Sequence, residues 1–440
     1  MHLYELPLLF VLIGLVLYVV LAGADFGAGF WQLADLLADL RSGAGRGERG
    51  ARMRAHAHNA MAPVWEANHV WLIFVLTVTW TAYPTAFGSI ASTLSVPLFI
   101  AAIGIILRGA SYALRAGAAS VAETRTIDTV FALSSVLTPF ALGTMIGAIA
   151  SQRVPVGNAA GHLLSSWTGP TSLIVGALAV ATSAYLAAVF LAADARRSAR
   201  ASPSAGDQGD SEIEERFRAR ALAAGLVAGA MAIGGLAVLH SDAHHLYTRL
   251  LHGDALAAVI VSALAGLATL ELVRRRGFEA ARYTAALAVA AVVAGWALAQ
   301  RPILLKGLTI QQAAAPHDTL VVIVVAVLAG ATILFPSLAL LFRLVLQGRL
   351  DHGPDLARGP LADADRSKIG QLLAVSRAGL LARAAGACLL AGFGLLTIAE
   401  AGWAHAIGVA ALLGFMISGF FAAVPSQLAE LDREEPAAPQ

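Results

Sequence analysis

Eleven apolar runs, each long enough to carry a helix through a lipid bilayer, constrain this chain more than any other feature. A helix needs about 20 apolar residues to cross a hydrocarbon core of ~30 Å. Such runs lie near residues 7–33, 68–88, 92–114, 127–151, 170–193, 220–240, 254–273, 281–300 and 318–346, with two more near 377–398 and 403–424. With 58% of 440 residues hydrophobic and 13% charged, the chain has too little charge to cover a water-facing surface of this size. That excludes a cytosolic enzyme, a disordered chain and a nucleic-acid binder. The predicted fold class is all-α: a polytopic transmembrane helix bundle of about eleven spans. Spans two and three, and ten and eleven, are separated by very short connections, so each pair is expected to form an antiparallel hairpin.

The basic residues give this bundle an orientation. Assigning each Lys and Arg to the connection it falls in puts 26 of the 30 on the odd-numbered connections and the C-terminal tail. Arg153, Arg249, Arg301 and Lys306 alone fall on the even-numbered ones. Cytoplasmic connections carry the basic excess, so the N-terminus is expected outside and the C-terminus in the cytoplasm of a prokaryotic (inner) membrane. A cysteine placed at Ser202 should then be labelled by an impermeant reagent only after the cells are opened; labelling of intact cells would reverse the topology. No Lys or Arg precedes Arg41, so the first span is expected to stay in the mature protein. Residues 194–218, mixing charge with Ser and Gly, read as a flexible cytoplasmic linker. Residues 347–376 read as a second linker, dividing a nine-span domain (1–346) from a two-span C-terminal extension with a short tail (377–440).

Few residues inside the spans carry chemistry. Cys388 is the single cysteine, which excludes internal disulfides, thiolate metal clusters and covalent c-type haem attachment. Asp25 falls in the first span, ~27 Å past Pro7. A carboxylate at that depth is costly and too short to snorkel, so it either performs a function or bonds a neighbouring helix. Gly23, Gly27 and Gly29 around it have helix-packing spacing. At the inner entry of span two stands Pro63-Val64-Trp65-Glu66-Ala67-Asn68-His69-Val70-Trp71. Helical spacing puts Glu66 and His69 on one face and Trp65, Asn68 and Trp71 on another. An interfacial aromatic belt accounts for Trp65, but not for Asn68 between two tryptophans. His240 and His244 have metal-ligand spacing beside Asp242, though a solvated outer loop explains them as well. His56 and His58 read as exposed residues of a basic first loop. No metal site is expected.

At these residues the chain resembles subunit II of cytochrome bd-type quinol oxidases. The resemblance rests on Gly23-Ala24-Asp25-Phe26-Gly27-Ala28-Gly29 closing span one and on the Trp65-Glu66-x-Asn68-x-Val70-Trp71 motif opening span two. Leu107-Arg108-Gly109, Gly295 to Gln300, the stretch from Leu308 through Pro316 to Leu320, and Pro336-Ser337-Leu338 extend it over roughly residues 5–346. It implies a non-haem subunit of an oxygen-reducing, electrogenic quinol oxidase, with no catalytic residue of its own. Its partner would be the haem-bearing subunit I, which would hold two b-type haems, one d-type haem and the quinol site. Small single-span accessory subunits and a structural quinone are further possibilities that the family offers, alongside quinol and lipid. The resemblance implies that this chain stabilises subunit I and lines a cytoplasmic proton route through Glu66, Asp25 and His69, with Trp65, Asn68, Trp71 and Arg108 as motif support.

Two positions depart from the family pattern. Ala22 stands where the family usually has a second Asp, and Ala113 falls where an acidic residue usually precedes the final Arg of span three. The last two spans also lie beyond the nine of the family. Two other classes compete with the oxidase reading: a secondary transporter binding an ion at Asp25 and Glu66, and a structural or assembly protein without a proton role. No inverted repeat or pair of broken helices supports the transporter.

Overall fold

The computed structural model describes residues 2–42, 47–115, 121–201, 207–346 and 402–423, together with 383–384, 386–388 and 391. The chain divides into two compact units, Met1–Phe335 and Pro336–Gln440.

The first unit is a helix bundle. Its elements are α1 (Leu6–Ser42), α2 (Gly47–Ala82), α3 (Pro84–Thr93), α4 (Ser95–Arg115), α5 (Val121–Ala150), α6 (Pro170–Ala201), α7 (Asp207–Asp242), α8 (His244–Leu250), α9 (Gly253–Arg274) and α10 (Phe278–Gln300). A two-stranded antiparallel hairpin, β1 (Ile303–Leu305) and β2 (Leu308–Thr309), leads through α11 (Ile310–Ala313) into α12 (His317–Leu346). Seven of the described helices are long and apolar enough to cross a membrane, or eight when α2 and α3 are counted as one bent span. The fold is thus a polytopic helical bundle. Runs one, four to eight and nine fall on α1, α5, α6, α7, α9, α10 and α12. In the second unit, α13 (Gly402–Ala423) carries the last run. Most of run ten, and the whole 347–376 linker, fall outside the described residues.

Span two does not continue to residue 88. Helix α2 stops at Ala82 and α3 leaves at 120°. Pro84 is the cause: it has no N–H to continue the ladder, and it pushes Tyr83 out of the helical region, to φ −135° and ψ 61°. The break is held from outside α2. The Ala82 carbonyl accepts a hydrogen bond from the Ala315 N–H at 2.8 Å, and Tyr83 Oη donates to the Tyr4 carbonyl at 2.7 Å. The expected tight hairpin between spans two and three is therefore a ten-residue helix.

The 194–218 linker is also a correction. Helix α6 runs on to Ala201 and α7 starts at Asp207, so nearly all of it is helical. Phe217 is buried, and Glu214 is buried beside Arg276 (3.2 Å). Glu212–Arg216 and Glu215–Arg218 pairs at helical spacing supply further local support. Charge and Ser content masked the adjoining ends of two long helices, with Ile213, Glu214 and Phe217 turned to the core. Likewise His56 is not in an exposed loop: it is half-buried on α2, with Nε2 3.3 Å from the Leu191 carbonyl and 3.8 Å from the Asp194 carboxylate.

Helix α1 packs on α6 through small residues. Ala184, Ala187, Ala188 and Ala192 of α6 are buried in the same core as Ala24 and Ala28 of α1. At Gly27 a Cβ would overlap the Ser183 carbonyl and stand 2.7 Å from Ala187 Cβ. Gly27→Val should therefore force the helices apart and abolish recovery of folded protein on detergent size exclusion, whereas Gly330→Val, with open space around it, should be recovered normally.

Candidate functional site

The site is built where α1, α2, α4 and α5 meet. Asp25 is 0% exposed and Arg108 2%, so neither reaches solvent. Arg108 Nη2 donates to Asp25 Oδ1 at 2.5 Å and to the Asp25 carbonyl at 2.7 Å, and Nε donates to Oδ2 at 3.0 Å. This is a bidentate pair, the geometry in which a guanidinium matches a carboxylate best. Nη1 donates to Ser135 Oγ of α5, and Ser135 in turn donates to the Phe131 carbonyl. Tyr112 Oη donates to Asp25 Oδ1 at 3.1 Å and Asn68 Nδ2 to Oδ2 at 3.3 Å. The carboxylate thus receives donors from α2 and α4 together, and the guanidinium sits over the Phe131 and Phe26 rings at 4.2 and 5.0 Å. Gly29, one turn after Asp25, leaves the room this needs: a Cβ there would lie 3.1 Å from Arg108 Nη1 and closer still to Ser135.

The physical logic is neutralisation. Either charge alone in a helix bundle carries a large desolvation cost, and the opposite charge, with hydrogen bonds to Ser135, Asn68 and Tyr112 around the pair, offsets it. Arg108 had counted as a cytoplasmic connection residue; it is instead buried inside α4. The alternation of basic connections survives without it. What remains unlegible from sequence is the pairing, because 83 residues separate the partners. The signal was an Arg and an Asp each embedded in an apolar run, which in lipid demand each other.

The remaining motif residues are placed as follows. Asn68 is buried and joins the Asp25 cluster; His69 follows it on α2 and is half-buried. Trp71 stacks edge-on with Phe74 and packs against Tyr18, Ala22 and Phe26. Glu66 and Trp65 lie on α2, but their side chains fall outside the described ones. The Asn68–Asp25 contact and the packing of Phe74 against Gly14 set α1 and α2 antiparallel. Glu66 therefore lies two residues, ~3 Å, along α2 from the level of Asp25, towards the α1–α2 connection.

Sequence reading did not single out Tyr112 and Ser135 of this cluster, nor the Arg115–Asp128 ion pair that joins α4 to α5 with Asp128 buried. At the other end of the bundle, Asp242 does not ligate with the histidines. It accepts from Arg153 at 2.6 Å and from Thr171 N and Oγ1 at 3.1 and 2.6 Å, clasping the start of α6. His240 and His244 lie with ring centroids 5.1 Å apart, exposed. Among the described residues no group of three or more His, Cys, Asp or Glu is placed to hold a metal ion.

Apolar helices long enough to cross a membrane, gathered round a buried Asp–Arg pair, define a polytopic membrane protein. The family described as cytochrome bd terminal oxidase subunit II matches residues 3–345. The chain belongs to that family of membrane-embedded respiratory oxidoreductases. Over 87 residues it is 26% identical to cytochrome bd ubiquinol oxidase subunit 2 of Bacillus subtilis (strain 168); that segment covers 20% of this chain and 26% of the relative. The solved structure of bd oxidase from Geobacillus thermodenitrificans is similar over 79% of this chain and 99% of its own, with a TM-score of 0.59 and 23% identity. At that identity the likeness establishes the fold.

Proposed function

We propose that the chain is the non-haem membrane subunit of a quinol:oxygen oxidoreductase, stabilising a haem-bearing subunit I and lining a proton route from the cytoplasm. The observation that carries this reading is the family match over residues 3–345, which contains the whole Asp25–Arg108–Asn68–Tyr112 cluster. The haems, two b-type and one d-type, are assigned to subunit I, as the family resemblance implies. Quinol and any accessory single-span subunits would belong to the same complex, and a structural quinone here is a further family possibility.

In this reading the residues divide their work. Asp25 is clamped by Arg108 and supplies a fixed, neutralised polar centre in the bundle. Glu66, with His69 on its helical face, holds and releases the proton at the cytoplasmic side of that centre. The route would run along α2 towards Asn68 and Asp25. The N-terminus lies outside and the C-terminus in the cytoplasm.

Purification in mild detergent tests the assignment. The expected result is a co-purifying larger membrane protein whose reduced-minus-oxidised spectrum carries b- and d-type haem bands, while this chain expressed alone carries none. Stoichiometric haem in the isolated chain, or a purified chain without a haem-bearing partner, would overturn it.

A further inference from the structure

Helix α7 ends at Asp242 and α8 starts at His244, with Ala243 between them at φ −138° and ψ 53°. Two histidines flank this corner, His240 on the last turn of α7 and His244 on the first of α8, and both are exposed. We propose that they chelate a borderline divalent transition-metal ion, Zn²⁺ or Cu²⁺, across the corner.

Three observations carry it. The first is separation. The two ring centroids lie 5.1 Å apart, with the ring planes at 70°. A Zn–N bond is about 2.0–2.1 Å and the ring centre lies ~1.1 Å beyond the nitrogen, so two imidazoles on one tetrahedral ion have centres ~5 Å apart. The second is the state of the nitrogens. His244 Nδ1 lies 3.2 Å from the His240 carbonyl. A carbonyl only accepts, so Nδ1 carries the hydrogen and the neutral ring presents its lone pair at Nε2. Ligand imidazoles are oriented by just such a bond from the other nitrogen. The third is restraint. The Tyr247 ring packs edge-on against His240 at 4.9 Å and stacks with His244 at 6.0 Å. Both rings are thus held before an ion arrives and lose less freedom on binding it.

The neighbouring groups leave the pair to this use. Asp242, the nearest carboxylate in sequence, accepts from Arg153 and Thr171 instead. Imidazole ligands suit Zn²⁺ and Cu²⁺, whereas Mg²⁺ and Ca²⁺ take oxygen. Two protein ligands fall short of the three or four of a structural or catalytic zinc centre, so water completes the shell and the ion exchanges with solvent. Bound there, it ties the end of α7 to α8 across Ala243. The proposal does not depend on the oxidase reading.

The test uses the protein purified from membranes with its partner chains in mild detergent, passed over a chelating resin and titrated with Zn²⁺ against a chromophoric chelator. His240→Gln and His244→Gln should each weaken binding of one Zn²⁺ equivalent by about tenfold or more. Both variants should keep the wild-type elution on size exclusion, because these side chains are exposed. His252→Gln, a change at another exposed histidine of the same region, should bind as wild type does. Zn²⁺ should also protect His240 and His244, but not His252, from carbethoxylation mapped by mass spectrometry, and Mg²⁺ should protect none of them. Unchanged affinity in either His240→Gln or His244→Gln, or modification of the pair that Zn²⁺ does not slow, would overturn the chelate. An equal loss in His252→Gln would overturn it in favour of diffuse binding to surface histidines.

Discussion

Replacing Asp25 with Asn is expected to damage the protein more than replacing Arg108 with Met, although both remove the same ion pair. Losing one member of a buried pair typically costs about 3–5 kcal/mol, or on the order of 10²–10⁴-fold in the folding equilibrium. The two variants differ in what is left behind. After Asp25→Asn, Arg108 stays cationic in the bundle, because a guanidinium does not give up its proton in a protein. After Arg108→Met, Asp25 keeps Asn68 and Tyr112 as donors, so its carboxyl is not left without partners. Methionine also refills the space against Phe26 and Phe131, where the guanidinium lies. Thermal unfolding of the detergent-solubilised protein, followed by size exclusion, should therefore rank wild type above Arg108→Met and Arg108→Met above Asp25→Asn. The double variant should exceed Asp25→Asn alone. Arg108→Met proving the worse, or no rescue in the double variant, would show that packing and not charge neutralisation organises the cluster.

Glu66→Gln should separate stability from turnover. Under the proposed function, quinol oxidase activity of the purified complex is expected to fall by about tenfold or more, the lower range for loss of a positioned proton-transfer group. Haem content and subunit ratio should stay as in wild type. Glu66→Asp should retain more activity than Gln, because it keeps a titratable carboxyl at the same helical position. His69→Ala should shift the pH profile of turnover with a smaller loss of rate. Wild-type turnover in Glu66→Gln would mean that protons enter through the partner subunit and that the Trp65–Trp71 motif serves packing.

These two expectations come from different levels of the protein. Glu66 is argued from spacing in one short motif, which a sequence displays completely. The Asp25–Arg108 pair is not so displayed: each residue is visible as an anomaly in an apolar run, but which anomaly meets which depends on how α1 and α4 pack. Ser135 and Tyr112 look like ordinary helix residues until Arg108 and Asp25 reach them.

The sequence by itself determined the class, because a backbone in lipid must satisfy its hydrogen bonds within each segment, and twenty-residue apolar runs admit only helices. It therefore located the apolar stretches of α1, α5, α6, α7, α9, α10 and α12, although α1, α6 and α7 run on well beyond theirs. Tertiary structure decided the rest. The Pro84 break needed Ala315 to satisfy the Ala82 carbonyl and Tyr4 to hold the Tyr83 hydroxyl, and nothing local says that those residues are near. Most of the 194–218 segment became helix because Phe217 packs into the core and the buried Glu214 pairs with Arg276 of the α9–α10 turn, overriding a composition that favours a linker. Apolar length is a property of one segment. Pairing of charges and rescue of broken backbone are properties of contact between segments, and those exist only once the bundle has assembled.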